Sequence, residues 1–250
     1  MAAGTVVLIT GVSKGLGKAL VEKYLSRPNQ TVIGSLRDSK AHAARDLENL
    51  PAAAGSRLVL VGIEGSSQTD PRQAVAEMAA AGISHVDLVI ANAGLSPPIQ
   101  PLDAVDARHV ADAFQVNALA PLRLYQAVRP LLERSAAPKW VSVSSAAASI
   151  GRLEVHQATF VSAYGMSKAA QDWLTVAIHS ADKSIVAFAI HPGLVQTEMG
   201  NQGAQMQGLE KAPNTVQESI DKTVALIDGA TREKTSGRFI NVIDGEEIPW

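Results

Sequence analysis

The chain has 250 residues, 46% of them hydrophobic and 18% charged, with a formal net charge of -2. That mixture can fill a large core and excludes a disordered chain, and the near-neutral balance with no basic stripe gives no reason to expect nucleic acid. There is no cysteine, which excludes a disulfide framework and a thiolate metal site and fits a reducing, cytoplasmic setting.

Met1 to Gly11 is apolar but has no basic segment and no small-residue cleavage site, so it reads as a first strand and not as a signal peptide. No run of about 18 apolar residues follows, so no membrane span is expected. Val6-Val7-Leu8-Ile9 is short, continuous and β-branched, as in a strand buried on both faces. Six similar runs follow at Thr31–Ile33, Leu58–Val61, Leu88–Ala91, Trp140–Val143, Ile185–Ile190 and Phe239–Val242. Between them lie helical patterns. Gly17 to Leu25 places Leu20, Val21, Tyr24 and Leu25 on one face, and Val105 to Leu132 carries a long apolar stripe that Pro121 and Pro130 are placed to bend. The Gly- and Gln-rich stretch from Gly200 to Gly208 reads as a mobile surface loop. Strand–helix alternation predicts an α/β, doubly wound (Rossmann) three-layer fold with a mostly parallel seven-stranded sheet, as a single domain over residues 1–250.

The first strand runs into Thr10-Gly11-Val12-Ser13-Lys14-Gly15-Leu16-Gly17. Gly11 permits a tight turn, Gly15 lets backbone approach a pyrophosphate, and Gly17 lets the following helix pack closely. Free N–H groups at the helix start then face the anion. The spacing is neither the generic dinucleotide fingerprint nor a Walker A loop, and a glycine-rich turn without a ligand is the alternative. The second strand ends Gly34-Ser35-Leu36-Arg37-Asp38. Leu36 stands where an acid would accept from a ribose 2′-hydroxyl, and Arg37 suits a 2′-phosphate, with Lys14 as a second cation. Both features favour NADP(H). The alternative keeps Arg37 and Lys14 as solvated surface charges and makes Asp38 the ribose acceptor of an NAD enzyme.

Tyr164-Gly165-Met166-Ser167-Lys168 places a phenol and an ammonium on one helix face, with Cβ atoms roughly 6 Å apart. A tyrosine of pKa about 10 is a reluctant acid, and a nearby ammonium lowers that value, so the pair suits protonation of a forming alkoxide. Ser144-Ser145 ends the fifth strand, where a hydroxyl can polarise a carbonyl oxygen. Asn92-Ala93-Gly94 ends the fourth strand, and its small residues would let a cofactor pass close. Asn117 lies within the long apolar stripe, where a buried amide needs partners. His156 and His191 have no paired helical histidines or carboxylate cluster beside them, so no metal site is expected.

Taken in order, Thr10-Gly11-x-x-x-Gly15-x-Gly17, Asn92-Ala93-Gly94, Asn117, Ser144-Ser145, Tyr164-x-x-x-Lys168 and Pro192-Gly193-Leu194-Val195-Gln196-Thr197 resemble the short-chain dehydrogenase/reductase family over nearly the whole chain. The resemblance implies that Tyr164 is the general acid/base, that Lys168 lowers its pKa and binds the nicotinamide ribose, and that Ser145 orients the substrate carbonyl. It implies that Asn117 holds a water in the proton relay. Pro192, Gly193, Val195 and Thr197 would wrap the nicotinamide, and Ser13 and Leu16 would join the phosphate turn. Glu64 ends the third strand where the family usually has an aspartate near the adenine.

Typical members carry a shorter segment between serine and tyrosine; here Tyr164 lies nineteen positions after Ser145. The extra residues, around Gly151 to Thr159, with His191-Pro192-Gly193 and the ending Asp244 to Trp250, resemble the carbonyl-reductase branch, fungal ketoreductases included. The resemblance implies a homodimer or homotetramer that reduces a small-molecule ketone or aldehyde. The inserted segment, Leu95 to Ile99 and Met199 to Gln207 would form the substrate pocket, and their apolar and amide side chains suit an uncharged, aromatic or polyketide-like carbonyl. The rival readings are an NAD-dependent alcohol dehydrogenase and a non-catalytic dinucleotide-binding regulator. The intact Tyr164, Lys168 and Ser145 weigh against the regulator, since a sensor needs no proton donor.

Overall fold

Each of the seven apolar runs becomes a strand: β1 (Thr5–Thr10), β2 (Gln30–Leu36), β3 (Arg57–Gly62), β4 (Leu88–Ala91), β5 (Lys139–Val143), β6 (Val186–His191) and β7 (Phe239–Asn241). The computed structural model describes residues 4–38 and 42–250. Met1–Ala3, the start of the segment read as the first strand, and Ser39–Ala41 lie outside the described residues. The strand order is β3-β2-β1-β4-β5-β6-β7, and every pairing between these strands is parallel. The expected mostly parallel sheet is therefore wholly parallel among its named strands; the antiparallel bridge from Ile240 to Glu247 lies at its edge. Strand order reverses between β1 and β4, which opens a crevice beyond their carboxyl ends.

The helices are α1 (Gly15–Leu25), α2 (His42–Glu48), α3 (Asp70–Ala80), α4 (Ala107–Phe114), α5 (Ala120–Leu132), α6 (Ser162–Ala181), α7 (Glu198–Met206) and α8 (Val216–Gly229). Two apolar layers follow from the alternation along each strand. Val7 and Ile9 of β1 join Leu20, Tyr24, Leu47, Val224 and Ile227 from α1, α2 and α8. Val6 and Leu8 point the other way and join Met78, Leu124, Val128, Leu174 and Ile178 from α3, α5 and α6. Successive strand residues face opposite sides, so a continuous apolar run serves both layers at once.

Within the long stripe from Val105 to Leu132 the chain is helical from Ala107 onward, continuous except for one wide turn, Gln115–Leu119, in which Ala120 N–H reaches back to Gln115 O. Its cause is in the sequence. Pro121 has no N–H to give the carbonyl of Asn117, and its ring would crowd that carbonyl in an ordinary α-helical turn. Pro130 is carried inside α5 without a break.

One expectation fails. Gly200 to Gly208, read as a loop, forms most of α7. Thr197 caps that helix by accepting from Gly200 N–H at 3.1 Å, Ala204 is fully buried, and Asn201 Oδ1 accepts from Ala212 N–H at 3.0 Å. The low helix propensity of two glycines is overridden by a cap and tertiary anchors.

Trp140 is the largest fully buried side chain, packed edge-on against Tyr125 at 5.6 Å with its indole N–H on Ser142 Oγ at 3.0 Å. Replacing Trp140 with Ala removes that volume beneath the centre of the sheet. The expected loss is about 3–5 kcal/mol of unfolding free energy, read from the urea midpoint; an unchanged midpoint would contradict this packing.

Candidate active site

The switch-point crevice is built by two strand ends that hold each other. Thr10 Oγ1 accepts from the backbone N–H groups of Asn92 and Ala93 at 3.0 and 2.9 Å. Asn92 Nδ2 donates back to Thr10 O at 2.8 Å and Gly11 O at 3.3 Å. Asn92 thus ties the glycine turn to β4, a role its sequence position alone did not reveal. A Cβ on Gly17 would lie 2.2 Å from Gly11 O and 2.7 Å from Asn92 Nδ2, so α1 can start this close to the turn only with glycine there. Gly11 and Gly15 both have positive φ. Ser13, Lys14 and Gly15 are exposed at the start of α1, and no side chain caps its first N–H groups. Those donors are left for an anion.

At the ribose end, Leu36 is buried in the core, while Arg37 and Asp38 are exposed beyond β2. Lys14 is paired with Glu198, at the start of α7, in an exposed contact. Glu64 is partly buried in a turn beyond β3, where its N–H donates to Asp70 Oδ2 at 2.9 Å. Pro192 to Thr197 follow β6. Ser219 Oγ donates to Pro192 O at 2.7 Å, Gly193 has positive φ, Val195 is buried, and the Thr197 side chain sits opposite Gly15.

Tyr164, Ser145 and Lys168 come together at the ends of β4 and β5. Ser145 follows β5 and lies beside the Tyr164 phenol, near enough to lower its pKa, while its Oγ accepts from Ala147 N–H at 3.3 Å. Gly165 allows this approach, because a Cβ there would meet Ala147 O at 2.8 Å. Lys168 is 2% exposed. Its Nζ donates to Val143 O at 2.7 Å and Gln171 Oε1 at 2.8 Å, and lies 5.8 Å from the Tyr164 ring centroid. Burial pushes the Tyr164 phenol up to about 12 against the lowering influence of the neighbouring Ser145 hydroxyl. Burial pushes Lys168 down to about 8, with Asp172 raising it. The expected acidification of the phenol by Lys168 is therefore not what the protein alone produces: the ammonium is turned toward Val143 and Gln171, and burial dominates.

Asn117 is fully buried, and its side chain is fully engaged. It accepts from Leu95 N–H at 2.7 Å and donates to Leu95 O and Ser167 Oγ, both at 2.8 Å. The amide fixes the loop after β4, and Gly94 leaves a gap bordered by Asn117 Oδ1 and Lys168 Nζ. Pro97 to Gln100 line a narrow cleft against Val161 to Tyr164. The inserted segment is tied to the last residues of the chain. Ser149 Oγ donates to Pro249 O, Gly151 N–H donates to Trp250 O at 2.9 Å, and Trp250 stacks on Phe239. Two residues escaped the sequence reading, Gln171 and Asp172, three and four positions after Lys168, and the place of His191 behind the serine turn did as well. The first two were open to detection by extending the helical spacing one more turn.

A parallel doubly wound sheet with a glycine turn at its switch point defines a dinucleotide-binding protein of the Rossmann kind. The chain belongs to the short-chain dehydrogenase family: the pattern described as short chain dehydrogenase matches residues 5–208. It is an oxidoreductase of that family, whose members bind a nicotinamide dinucleotide and act on small molecules. It is 47% identical over 249 residues to the short-chain dehydrogenase srdF of Neurospora crassa, covering 98% of each chain. It is 39% identical to the norsolorinic acid ketoreductase nor1 of Dothistroma septosporum, covering 98% of this chain and 92% of that one. Among solved structures it resembles an NADPH-bound carbonyl reductase from chicken fatty liver, with a TM-score of 0.85 and 27% identity over 99% of this chain and 100% of that one. Among the described residues no helix is long and apolar enough to cross a membrane.

His191 supports the serine from behind: its Nδ1 accepts from Ala146 N–H at 3.2 Å. Burial, then the nearby His156, pushes His191 down to about 4. A histidine depressed in the folded state contributes stability above its unfolded value near 6.5, and that contribution is lost as pH falls toward 4. Between pH 7 and 4 the protein should lose about 2 kcal/mol more stability than His191→Gln. Denaturant midpoints measured across that range check this, and parallel curves would refute it.

Proposed function

We propose that this protein reduces a ketone or aldehyde with NADPH, Tyr164 being the proton donor. The observation that carries the reading is the Tyr164 phenol beside Ser145 at the end of β5, with buried Lys168 one turn further along α6 and its Nζ 5.8 Å from the phenol ring centroid. The uncapped start of α1 and its exposed Ser13, Lys14 and Gly15 suit a pyrophosphate, and Arg37 beyond β2 suits a 2′-phosphate. Leu36, buried, supplies no acid for a 2′-hydroxyl. The NADPH-bound chicken reductase supports the same choice. When bound, the nicotinamide supplies the hydride that reaches the carbonyl carbon.

The residues of this chain supply alignment and the proton. Ser145 and Tyr164 both donate toward the carbonyl oxygen, and as the carbon–oxygen double bond opens, the phenol O–H transfers its proton to the forming alkoxide. The raised phenol value keeps that proton in place through neutral pH. Lys168 stabilises the phenolate left behind and reaches the nicotinamide ribose. Asn117 contributes a water site through its main-chain carbonyl, which Pro121 leaves without its usual helical donor. Pro192, Gly193, Val195 and Thr197 flank the nicotinamide end. Ketoreductases among the relatives support a ketone substrate. Exposed Leu95, Leu153, Val155, Met199 and Met206 on the three segments around the crevice support an uncharged, aromatic carbonyl.

Tyr164→Phe should reduce carbonyl turnover at least about 100-fold while leaving NADPH affinity within about threefold. Cofactor oxidation followed at the nicotinamide absorbance, with binding by fluorescence, tests this; parent-rate turnover would end the mechanism. Arg37→Ala should weaken NADPH binding about tenfold or more and leave NADH binding unchanged. Equal effects on the two cofactors would instead favour the NAD reading with Asp38 at the ribose.

A further inference from the structure

α6 buries a polar stripe against the ends of β4 and β5. Ser167, Lys168, Gln171, Asp172 and Thr175 are all 4% exposed or less, and Lys168 and Asp172 are both ionisable. A buried ammonium is unstable unless compensated. The two partners of Lys168, Val143 O and Gln171 Oε1, orient it but carry no charge. The other surroundings are equally neutral: Gly94 from the loop after β4, Asn117 from the wide turn, and Ser144 and Ser145 after β5. Tyr164 and Asp172, on its own helix, are the titratable groups facing it, and Asp172 is the charge that acts on it.

Asp172 is itself unusual. Its Oδ1 makes no hydrogen bond, nor does the buried hydroxyl of Ser144. Burial pushes the carboxyl up to about 7, with Ser144 and Lys168 drawing it down, so Asp172 carries its charge on the basic side of neutrality. An under-satisfied buried carboxyl gains little from its own hydrogen bonds. Its justification lies in its charge.

We propose that Asp172 is a positioning residue for the reaction: the buried counter-charge, beside Ser144, that keeps Lys168 an ammonium and so sets the upper pH limit of catalysis. This rests on the Tyr164–Lys168 reading above. Residues four apart on a helix face lie about 6 Å apart, and a unit charge at that range in a partly polar interior shifts a titration by about one to two pH units. Removing the carboxylate lowers the Lys168 midpoint by that amount. The ammonium then loses its proton at a pH where the parent still holds it.

The test is Asp172→Asn, with two readouts. In cofactor-free protein carrying 13Cε-labelled lysine, the Lys168 resonance, identified by its loss in Lys168→Met, should titrate about one to two pH units lower than in the parent. In turnover with NADPH, the basic limb of kcat/KM should move down by the same interval. Reduction at pH 8 should fall about tenfold or more while at pH 6 it stays within about threefold. An unmoved lysine titration, or a rate lowered equally at every pH, overturns the proposal. Should Asp172→Asn fail to fold, Ser144→Ala must shift the Lys168 midpoint down by a smaller amount, and no shift there is equally fatal. Tyr164→Phe run alongside separates the two claims. Its retention of parent activity would sink the catalytic reading, whereas the lysine titration judges the Asp172–Lys168 pair independently of turnover.

Discussion

A cation with 2% of its surface exposed must be held by its surroundings, and the burial of Lys168 beneath the sheet ends organises the rest of the site. Val143 at the end of β5 and Gln171 on α6 take two of its protons. Gln171 also donates to Ala91 O at 3.4 Å, so the same amide touches the end of β4. Thr175 bonds Ser142 Oγ at 2.7 Å, which in turn accepts from the Trp140 indole. One polar stripe therefore fixes α6 against two neighbouring strands and sets the height of Tyr164 above the crevice. Apolar packing alone would tolerate a helix sliding along the sheet; directional bonds at successive turns do not.

The strands were legible because a parallel sheet buried on both faces leaves short, uninterrupted β-branched runs, and all seven appear where those runs lie. The glycine turn was legible for a similar reason: a strand–turn–helix junction this tight accepts few residue types. Tyr164 and Lys168 could be paired from helical spacing and Ser145 placed at a strand end, and the structure brings the three together.

What stayed hidden depends on tertiary partners. α7 contains glycines that argue against a helix, and it forms because Thr197 caps it and Ala204 is buried. Asn92 looked like one small polar residue beside a cofactor path, yet its amide ties two strand ends. Asn117 looked like a buried amide in need of partners, and only the coordinates name them as Leu95 and Ser167. The phenol's raised proton affinity also needed coordinates, since spacing gives the nearness of an ammonium but not the desolvation that outweighs it. Each miss concerns which partner an amide, hydroxyl or charge selects, and such choices are made between segments far apart in the chain.

The contact between Lys14 and Glu198 joins the glycine turn to the first residue of α7, across 184 positions of sequence. Both side chains are exposed, so this link between the turn and the helix is screened by salt and weighs little beside the Thr197 cap and the buried Ala204 that hold α7 in place.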